Sequence, residues 1–225
     1  MAAKATTTTI PIVFTVGGDP IKMGLVTSLN RPGGNITGVS FLSSDIVAKM
    51  LEALHELMPK AVRIATLVNP TNQNAAADMK EAEAAVRTLG LELQVVNASN
   101  AREIDDAFAL LVERRAAALL IEGDPFFAGR MKQLVVLTAR HAIPAIYQGR
   151  DFPDAGGLMS YGANRPDATR LAGVYSGRIL NGEKPADLPV QQSTKFQSII
   201  NLATAKALGL TIPETLLATA DEVIQ

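Results

Sequence analysis

Two short loops that share the sequence Gly-Asp-Pro contain the residues best suited to contact a ligand. Residues 17–20 read Gly-Gly-Asp-Pro and residues 123–125 read Gly-Asp-Pro, and each loop follows an apolar run typical of a buried strand. Aspartate is a favourable helix N-cap and proline fits the first helical position, so a helix is expected after each loop. The free N–H groups of a helix N-terminus favour a carboxylate or a phosphate. Helix capping alone is the competing interpretation of Asp19 and Asp124.

A third polar loop, residues 69–74, follows the apolar run 63–68 and is rich in side-chain amides. Amides both donate and accept hydrogen bonds, which suits a zwitterion or a sugar, although an exposed turn before a helix is the alternative. Four residues cluster around a predicted hinge segment rich in glycine and aspartate: Tyr147, Gln148, Arg150 and Tyr161. An aromatic face with a polar tip suits a closing cleft, and a core position with a satisfied hydroxyl suits Tyr147 equally well.

Residue types that carry catalysis or hold cofactors are scarce. The sequence has no cysteine and two histidines, His55 and His141, each of which fits an amphipathic or terminal helix position. Motifs for dinucleotides, P-loop phosphates, zinc proteases and serine hydrolases are absent. We therefore expect no metal, no nucleotide cofactor and no enzymatic activity.

Composition and charge exclude further classes of protein. The 225 residues carry a formal net charge of -1, and 48% of them are hydrophobic. A balanced charge offers no positive field for nucleic acid, and the apolar content is ample for a packed core. No run approaches the roughly 20 apolar residues that span a bilayer. The first nine residues lack the apolar centre of a secretory signal, so the sequence as given shows no export signal.

Short apolar runs alternate with amphipathic helical stretches, which predicts an α/β fold of parallel strands flanked by helices. Helical spacing is found within 46–58, 79–89 and 104–111, and further helices are expected near 21–29 and 201–208. One parallel sheet should span about residues 60–148, and two lobes joined by several chain crossings are expected, with hinge candidates at 31–38 and 149–162. The predicted strands are 10–16, 36–40, 63–68, 91–96, 117–122, 144–148 and 157–161.

Six segments have a distinctive sequence: 10–20, 29–39, 67–70, 142–147, 156–162 and 200–209. Together they resemble the ABC transporter substrate-binding protein family with a type I periplasmic-binding fold, which includes tryptophan- and tyrosine-binding members. The resemblance extends over nearly the whole chain. Compared with that family, the sequence lacks a signal sequence and several βα units before residue 10, so the first lobe is expected to be incomplete.

The resemblance implies a solute-binding component of an ABC importer, outside the cytoplasm, that holds a small zwitterionic or carboxylate ligand in an interlobe cleft and presents it to a membrane permease. An amino acid is one such ligand. The expected domains are a remainder of the first lobe (1–42), a second lobe (43–148), and crossings with terminal elements that pack on both lobes (149–225). The expected ligand-binding residues are Gly17, Gly18, Asp19, Ser40, Asn69, Asp124, Pro125, Tyr147, Gln148 and Tyr161.

One further expectation and two alternative functions follow from the sequence. An incomplete first lobe would leave the strand at 10–16 without a neighbour on one side, which favours a symmetric homodimer through that edge. A ligand-sensing regulatory domain would share the fold, although a DNA-binding helix-turn-helix has no room before residue 10. An α/β isomerase or transferase would need acid-base or nucleotide-binding groups that the sequence lacks.

Overall fold

A computed structural model describes residues 2–41 and 46–225. The chain forms two compact units, a first unit of Met1–Ser43 with Ala163–Phe196 and a second unit of Ser44–Gly162 with Gln197–Gln225. The chain therefore passes three times from one unit to the other. The domain boundaries expected at residues 42 and 148 stay a prediction.

Strands and helices alternate through most of the chain, as the periodicity predicts. The strands are β1 Ile12–Val16, β2 Ile36–Ser40, β3 Arg63–Val68, β4 Glu92–Asn97, β5 Leu119–Ile121, β6 Ala145–Tyr147, β7 Met159–Ala163, β8 Gln191–Gln192, β9 Phe196–Asn201 and β10 Glu222–Ile224. The helices are α1 Ala2–Thr6, α2 Val47–Leu57, α3 Ala75–Leu89, α4 Ala101–Glu113, α5 Pro125–Gly129, α6 Met131–Arg140, α7 Asp151–Asp154, α8 Arg165–Leu180, α9 Leu202–Ala207 and α10 Glu214–Thr219.

The first unit contains a three-stranded sheet in the order β1-β2-β8, with both strand pairs parallel. Phe14, Val26, Ile36 and Val190 form its apolar cluster. Helix α8 packs on β1 and β2. Gly38 faces Phe14 so closely that a Cβ atom at position 38 would overlap the Phe14 carbonyl oxygen, so the two strands require glycine here.

The second unit contains a seven-stranded sheet in the order β10-β9-β7-β6-β5-β3-β4. The pairs from β4 to β7 are parallel, which confirms the predicted parallel sheet, and the sheet extends past residue 148 to include β7, β9 and β10. Buried residues of β3, β5 and β6 pack against α4 and α6 in one apolar cluster. Helix α3 ends at Gly90, which takes the left-handed conformation with φ 69° that favours glycine.

The prediction of a helix after Asp19 is wrong, because residues 20–29 form turns and bends. The N–H of Met23 donates to the Asp19 carbonyl at 2.9 Å, and that of Leu25 donates to the Pro20 carbonyl at 2.9 Å. This closes a single turn. Gly24 then takes a left-handed conformation with φ 66°, which ends the helical path. The loop therefore has no helix dipole directed at a ligand.

Candidate functional site

The carboxyl ends of β3 and β5 bring two of the polar loops together. The two strands are parallel neighbours, with Leu67 opposite Ile121. The residues that follow them, Asn69 and Asp124, are therefore at the same edge of the sheet, where ligands of open α/β sheets bind. Both are buried, at 6% exposure each.

Asp124 accepts hydrogen bonds on both carboxylate oxygens. Its Oδ1 atom accepts from the N–H groups of Phe126 at 2.8 Å and Phe127 at 3.1 Å, which confirms the predicted N-cap of α5. Pro125 occupies the first turn of that helix. The Oδ2 atom accepts from the side-chain amide nitrogens of Asn69 at 3.2 Å and Asn72 at 2.9 Å. Asp124 therefore both caps α5 and holds the loop that follows β3.

The loop after β3 is held by its own side chains. Asn69 Oδ1 accepts from the Thr71 N–H at 3.1 Å and from the Thr71 hydroxyl at 2.8 Å. Asn72 Oδ1 accepts from the Asn74 N–H at 3.0 Å, and Asn72 Nδ2 also lies 3.3 Å from the Gly123 carbonyl oxygen. We call Asn69, Asn72 and Asp124 the amide–carboxylate cluster. Its members fix one another, so the cluster is preorganised before any ligand arrives.

Gln148, directly after β6, lies against two glycines. A Cβ atom at position 123 would overlap Gln148 Oε1, and a Cβ atom at position 162 would overlap the Gln148 backbone oxygen. The Gln148 Nε2 atom is buried and has no hydrogen-bond partner among the described residues. It is an unused donor beside the Gly123 loop.

Tyr147 lies in the core of the second unit. Its ring stacks on Phe152 with centroids 4.4 Å apart, and its hydroxyl is 3.0 Å from the Thr138 hydroxyl. Burial raises the pKa of this hydroxyl above its ordinary range. Tyr147 is therefore a core residue with a satisfied hydroxyl, which is the alternative that the sequence analysis left open for it. Tyr161, on β7, is partly exposed.

Gly17, Gly18, Asp19 and Ser40 belong to the first unit, at the ends of β1 and β2. Asp19 Oδ1 accepts from the Ile21 N–H at 2.9 Å, so its side chain stabilises a turn. Ser40 is fully buried, and its hydroxyl has no hydrogen-bond partner among the described residues.

Two buried carboxyl groups, Asp78 and Glu122, stand close to the amide–carboxylate cluster and were missed by the sequence reasoning. Burial raises the pKa of Asp78 to about 6. Burial, followed by the charges of Asp78 and Asp124, raises the pKa of Glu122 to about 8. One feature of the sequence indicates that Glu122 is buried: it is the acidic last residue of the predicted strand 117–122, whose other residues are apolar or small.

Neither a metal centre nor a membrane-spanning element is found in the described residues. Within 2–41 and 46–225, no three His, Cys, Asp or Glu residues are grouped so that they could hold a metal ion. No helix in those ranges is both long and apolar enough to cross a bilayer.

A family model described as ABC transporter substrate binding protein matches residues 1–224. A tyrosine-binding protein from Clostridioides difficile is 30% identical over 210 residues, which are 93% of this chain and 60% of that protein. The chain thus spans about 60% of the length of this curated relative.

Two solved structures share the fold closely. The ABC domain in complex with L-Trp from Streptococcus pneumoniae has a TM-score of 0.86 and 28% identity, and the match covers 98% of this chain and 76% of that one. A conserved domain protein from Vibrio cholerae has a TM-score of 0.86 and 29% identity, with 99% and 74% covered. The α/β fold of the type I periplasmic-binding kind is confirmed. The chain belongs to the ABC transporter substrate-binding protein family.

Proposed function

We propose that this chain binds a small amino acid-like zwitterion or carboxylate as the solute-binding component of an ABC importer. The observation that carries the proposal is the amide–carboxylate cluster of Asn69, Asn72 and Asp124 at the carboxyl edge of the second sheet. Its negative charge suits the ammonium group of the ligand, and the unused Gln148 Nε2 donor suits the ligand's carboxylate. Catalysis forms no part of the proposed function.

The proposal is more specific than the expectation that helix N-termini bind the ligand's acid group. At α5, the N–H groups of Phe126 and Phe127 donate to Asp124 and are already occupied. After Asp19 there is no helix. The unpartnered side-chain amide of Gln148 is therefore the better candidate for the ligand's carboxylate.

Both units should contribute to binding. We extend the proposed site to Gly17, Gly18, Asp19 and Ser40 of the first unit, and to Pro125 and Tyr161 of the second, because the family resemblance implies a ligand held in an interlobe cleft. Tyr147 is assigned a supporting role, since its hydroxyl is bonded to Thr138. We further propose that the chain acts outside the cytoplasm and delivers its ligand to a membrane permease. Two copies of the chain are proposed to pair through the β1 edge.

Calorimetry of the purified chain tests the proposal directly. L-Tyrosine and L-tryptophan are titrated first, because a relative is a tyrosine-binding protein and a similar structure contains L-Trp. The remaining amino acids and small carboxylates follow, with a neutral sugar as the comparison. Binding of an amino acid that is lost on acetylation of its amino group, which removes the positive charge, would support the assigned role of Asp124. Binding of the sugar alone would contradict the ligand class.

A further inference from the structure

Besides Gln94 Oε1, four buried oxygen atoms of the second unit lack a hydrogen-bond partner among the described residues: Thr66 Oγ1, both carboxyl oxygens of Asp78, and Glu122 Oε1. The three side chains belong to residues that are 0%, 1% and 4% exposed, respectively. Buried polar groups are normally hydrogen-bonded, so three such residues in one region require an explanation.

These side chains share one face of the sheet. Thr66 of β3 is opposite Leu120 of β5. Leu119 and Ile121 belong to the apolar cluster formed with α4 and α6. Because side chains alternate along a strand, Thr66 and Glu122 face the opposite side. Asp78 reaches the same region from α3, since its charge acts on Glu122, and α2 packs on both α3 and β5.

The charged groups that act on Glu122 are both carboxylates, Asp78 and Asp124. Among the described residues, no ion pair joins a basic side chain to Asp78, Glu122 or Asp124. The other titratable side chains on the elements packed against this region, namely α2, α3, β3, β4 and β6, are Lys49, Glu52, His55, Glu56, Lys80, Glu81, Glu83, Arg87, Arg63, Glu92 and Tyr147.

Two buried carboxyl groups without a cation cannot both ionise at neutral pH without a large cost in free energy. The pair therefore retains a proton, and the neighbouring Asp124 side chain accepts four hydrogen bonds. A cation placed beside Asp124 changes this balance, because it lowers the cost of ionising the neighbouring Glu122.

We infer that Asp78 and Glu122 form a proton-holding pair that releases a proton to solvent when the ammonium group of an amino-acid ligand binds beside Asp124, so that ligand binding strengthens as pH rises. This inference rests on the proposed function. It makes Glu122 a positioning residue that acts through the charge of the site and not through direct contact with the ligand.

Calorimetry with L-tyrosine, or with the amino acid that binds most tightly, provides the test. The titration is repeated at pH 7.5 in buffers of different ionisation enthalpy, which counts the protons released on binding. The dissociation constant is then measured from pH 6 to 8.5 and corrected for the fraction of ligand whose own ammonium group has lost its proton. The variants are Glu122→Gln and Asp78→Asn, which keep the side-chain shape, and Glu83→Gln on the exposed side of α3 is the matched control.

We expect the wild-type chain to release a substantial fraction of a proton and to bind about tenfold more tightly at pH 8.5 than at pH 6, which corresponds to a shift of about one pKa unit. Glu122→Gln should bind the same ligand without proton release and with a flat pH profile, whereas Glu83→Gln should behave as wild type. Binding without proton release by the wild-type chain would overturn this inference alone. Absence of binding by every amino acid at every pH would overturn the proposed function and the inference with it.

Discussion

Gln148 Oε1 occupies the space in which a Cβ atom on residue 123 would stand. The side chain that follows β6 is thereby packed against the loop that leads from β5 to Asp124. The positions of two proposed ligand contacts, Gln148 and Asp124, therefore depend on residue 123 having no side chain.

Replacing Gly123 by alanine should displace the Gln148 side chain, because the new methyl group takes its place. The end of a glutamine side chain can move, so we expect a cost of about 1 to 2 kcal/mol in unfolding free energy and a loss of more than tenfold in ligand affinity. Urea denaturation and calorimetry measure the two effects. Gly129→Ala, where a Cβ atom meets nothing within 4 Å, is the control. Unchanged affinity in Gly123→Ala would remove Gln148 from the site.

Gly162→Ala should be more damaging to stability, because the added Cβ atom would overlap the backbone oxygen of Gln148. Backbone cannot move aside as a side chain does, so we expect a loss of about 3 kcal/mol or more. Gly173→Ala in α8 is the matched control, since a Cβ atom there has open space, and it should stabilise by about 0.5 to 1 kcal/mol. Equal denaturation midpoints for Gly162→Ala and Gly173→Ala would contradict this prediction.

Most of the strands and several helices could be predicted from the sequence. β1 to β7 coincide within a few residues with apolar runs. The central strands β3, β5 and β6 are buried on both faces, as their continuous apolar sequences predict. β9 was missed since Gln197 and Ser198 interrupt its apolar run. The helix expected after Asp19 does not form, because Gly24 redirects the backbone after one turn.

The polar loops could be predicted, but their hydrogen bonds could not. The pattern Asp-Pro identified Asp124 as a helix cap, whereas its bonds to Asn69 and Asn72 depend on the pairing of β3 with β5. Likewise, Asp78 lies on a helix and Glu122 after a strand, 44 positions further along the sequence. Only the packing of α3 on the sheet brings their charges together.

Asp124→Ala should weaken binding of the amino-acid ligand by more than tenfold, about 1.4 kcal/mol, if its charge meets the ligand's ammonium group. The change also removes the cap of α5, so a stability loss of about 1 to 2 kcal/mol is expected. Asp124→Asn separates the two effects, since an amide oxygen can still cap the helix while the charge is lost. Calorimetry on both variants, with the exposed Asp106→Ala as control, gives the answer. Full affinity in Asp124→Asn would show that the charge is not used.

The stability of the chain should fall as pH rises from about 4.5 to about 8, the ordinary and folded pKa values of Glu122. In this range the unfolded chain gives up the Glu122 proton and the folded chain keeps it, so folding takes up a proton and is opposed by higher pH. Burial is the largest cause of this pKa shift, and the charges of Asp78 and Asp124 add to it.

Glu122→Gln should match wild type near pH 4.5 and become more stable than wild type by several kcal/mol, at most about 5, at pH 8.5. Urea denaturation across this range measures the difference, and Glu83→Gln supplies the baseline for an exposed glutamate. A constant difference between Glu122→Gln and wild type at all pH values would contradict a shifted carboxyl group.

Pairing of two copies through β1 is expected from the sheet of the first unit. β1 stands at the edge of the three-stranded order, and the N–H of Ile12 donates to Asn35 while the Val16 carbonyl accepts from Phe41. Because backbone groups alternate in direction along a strand, those of Val13 and Thr15 point away from β2 and are able to pair with a second chain. A symmetric dimer is the simplest result.

Thr15→Pro tests this pairing, because proline removes an outward N–H that the sheet of the first unit does not use. We expect light scattering at micromolar concentration to give a dimer mass for the wild-type chain and a monomer mass for Thr15→Pro. Val95→Pro is the matched control on the edge strand β4 of the other sheet: the Glu92 N–H donates to Val62, so the N–H of Val95 also points outward. This control should remain dimeric. A monomer mass for the wild-type chain, or equal dissociation by both proline variants, would exclude β1 as the dimer edge.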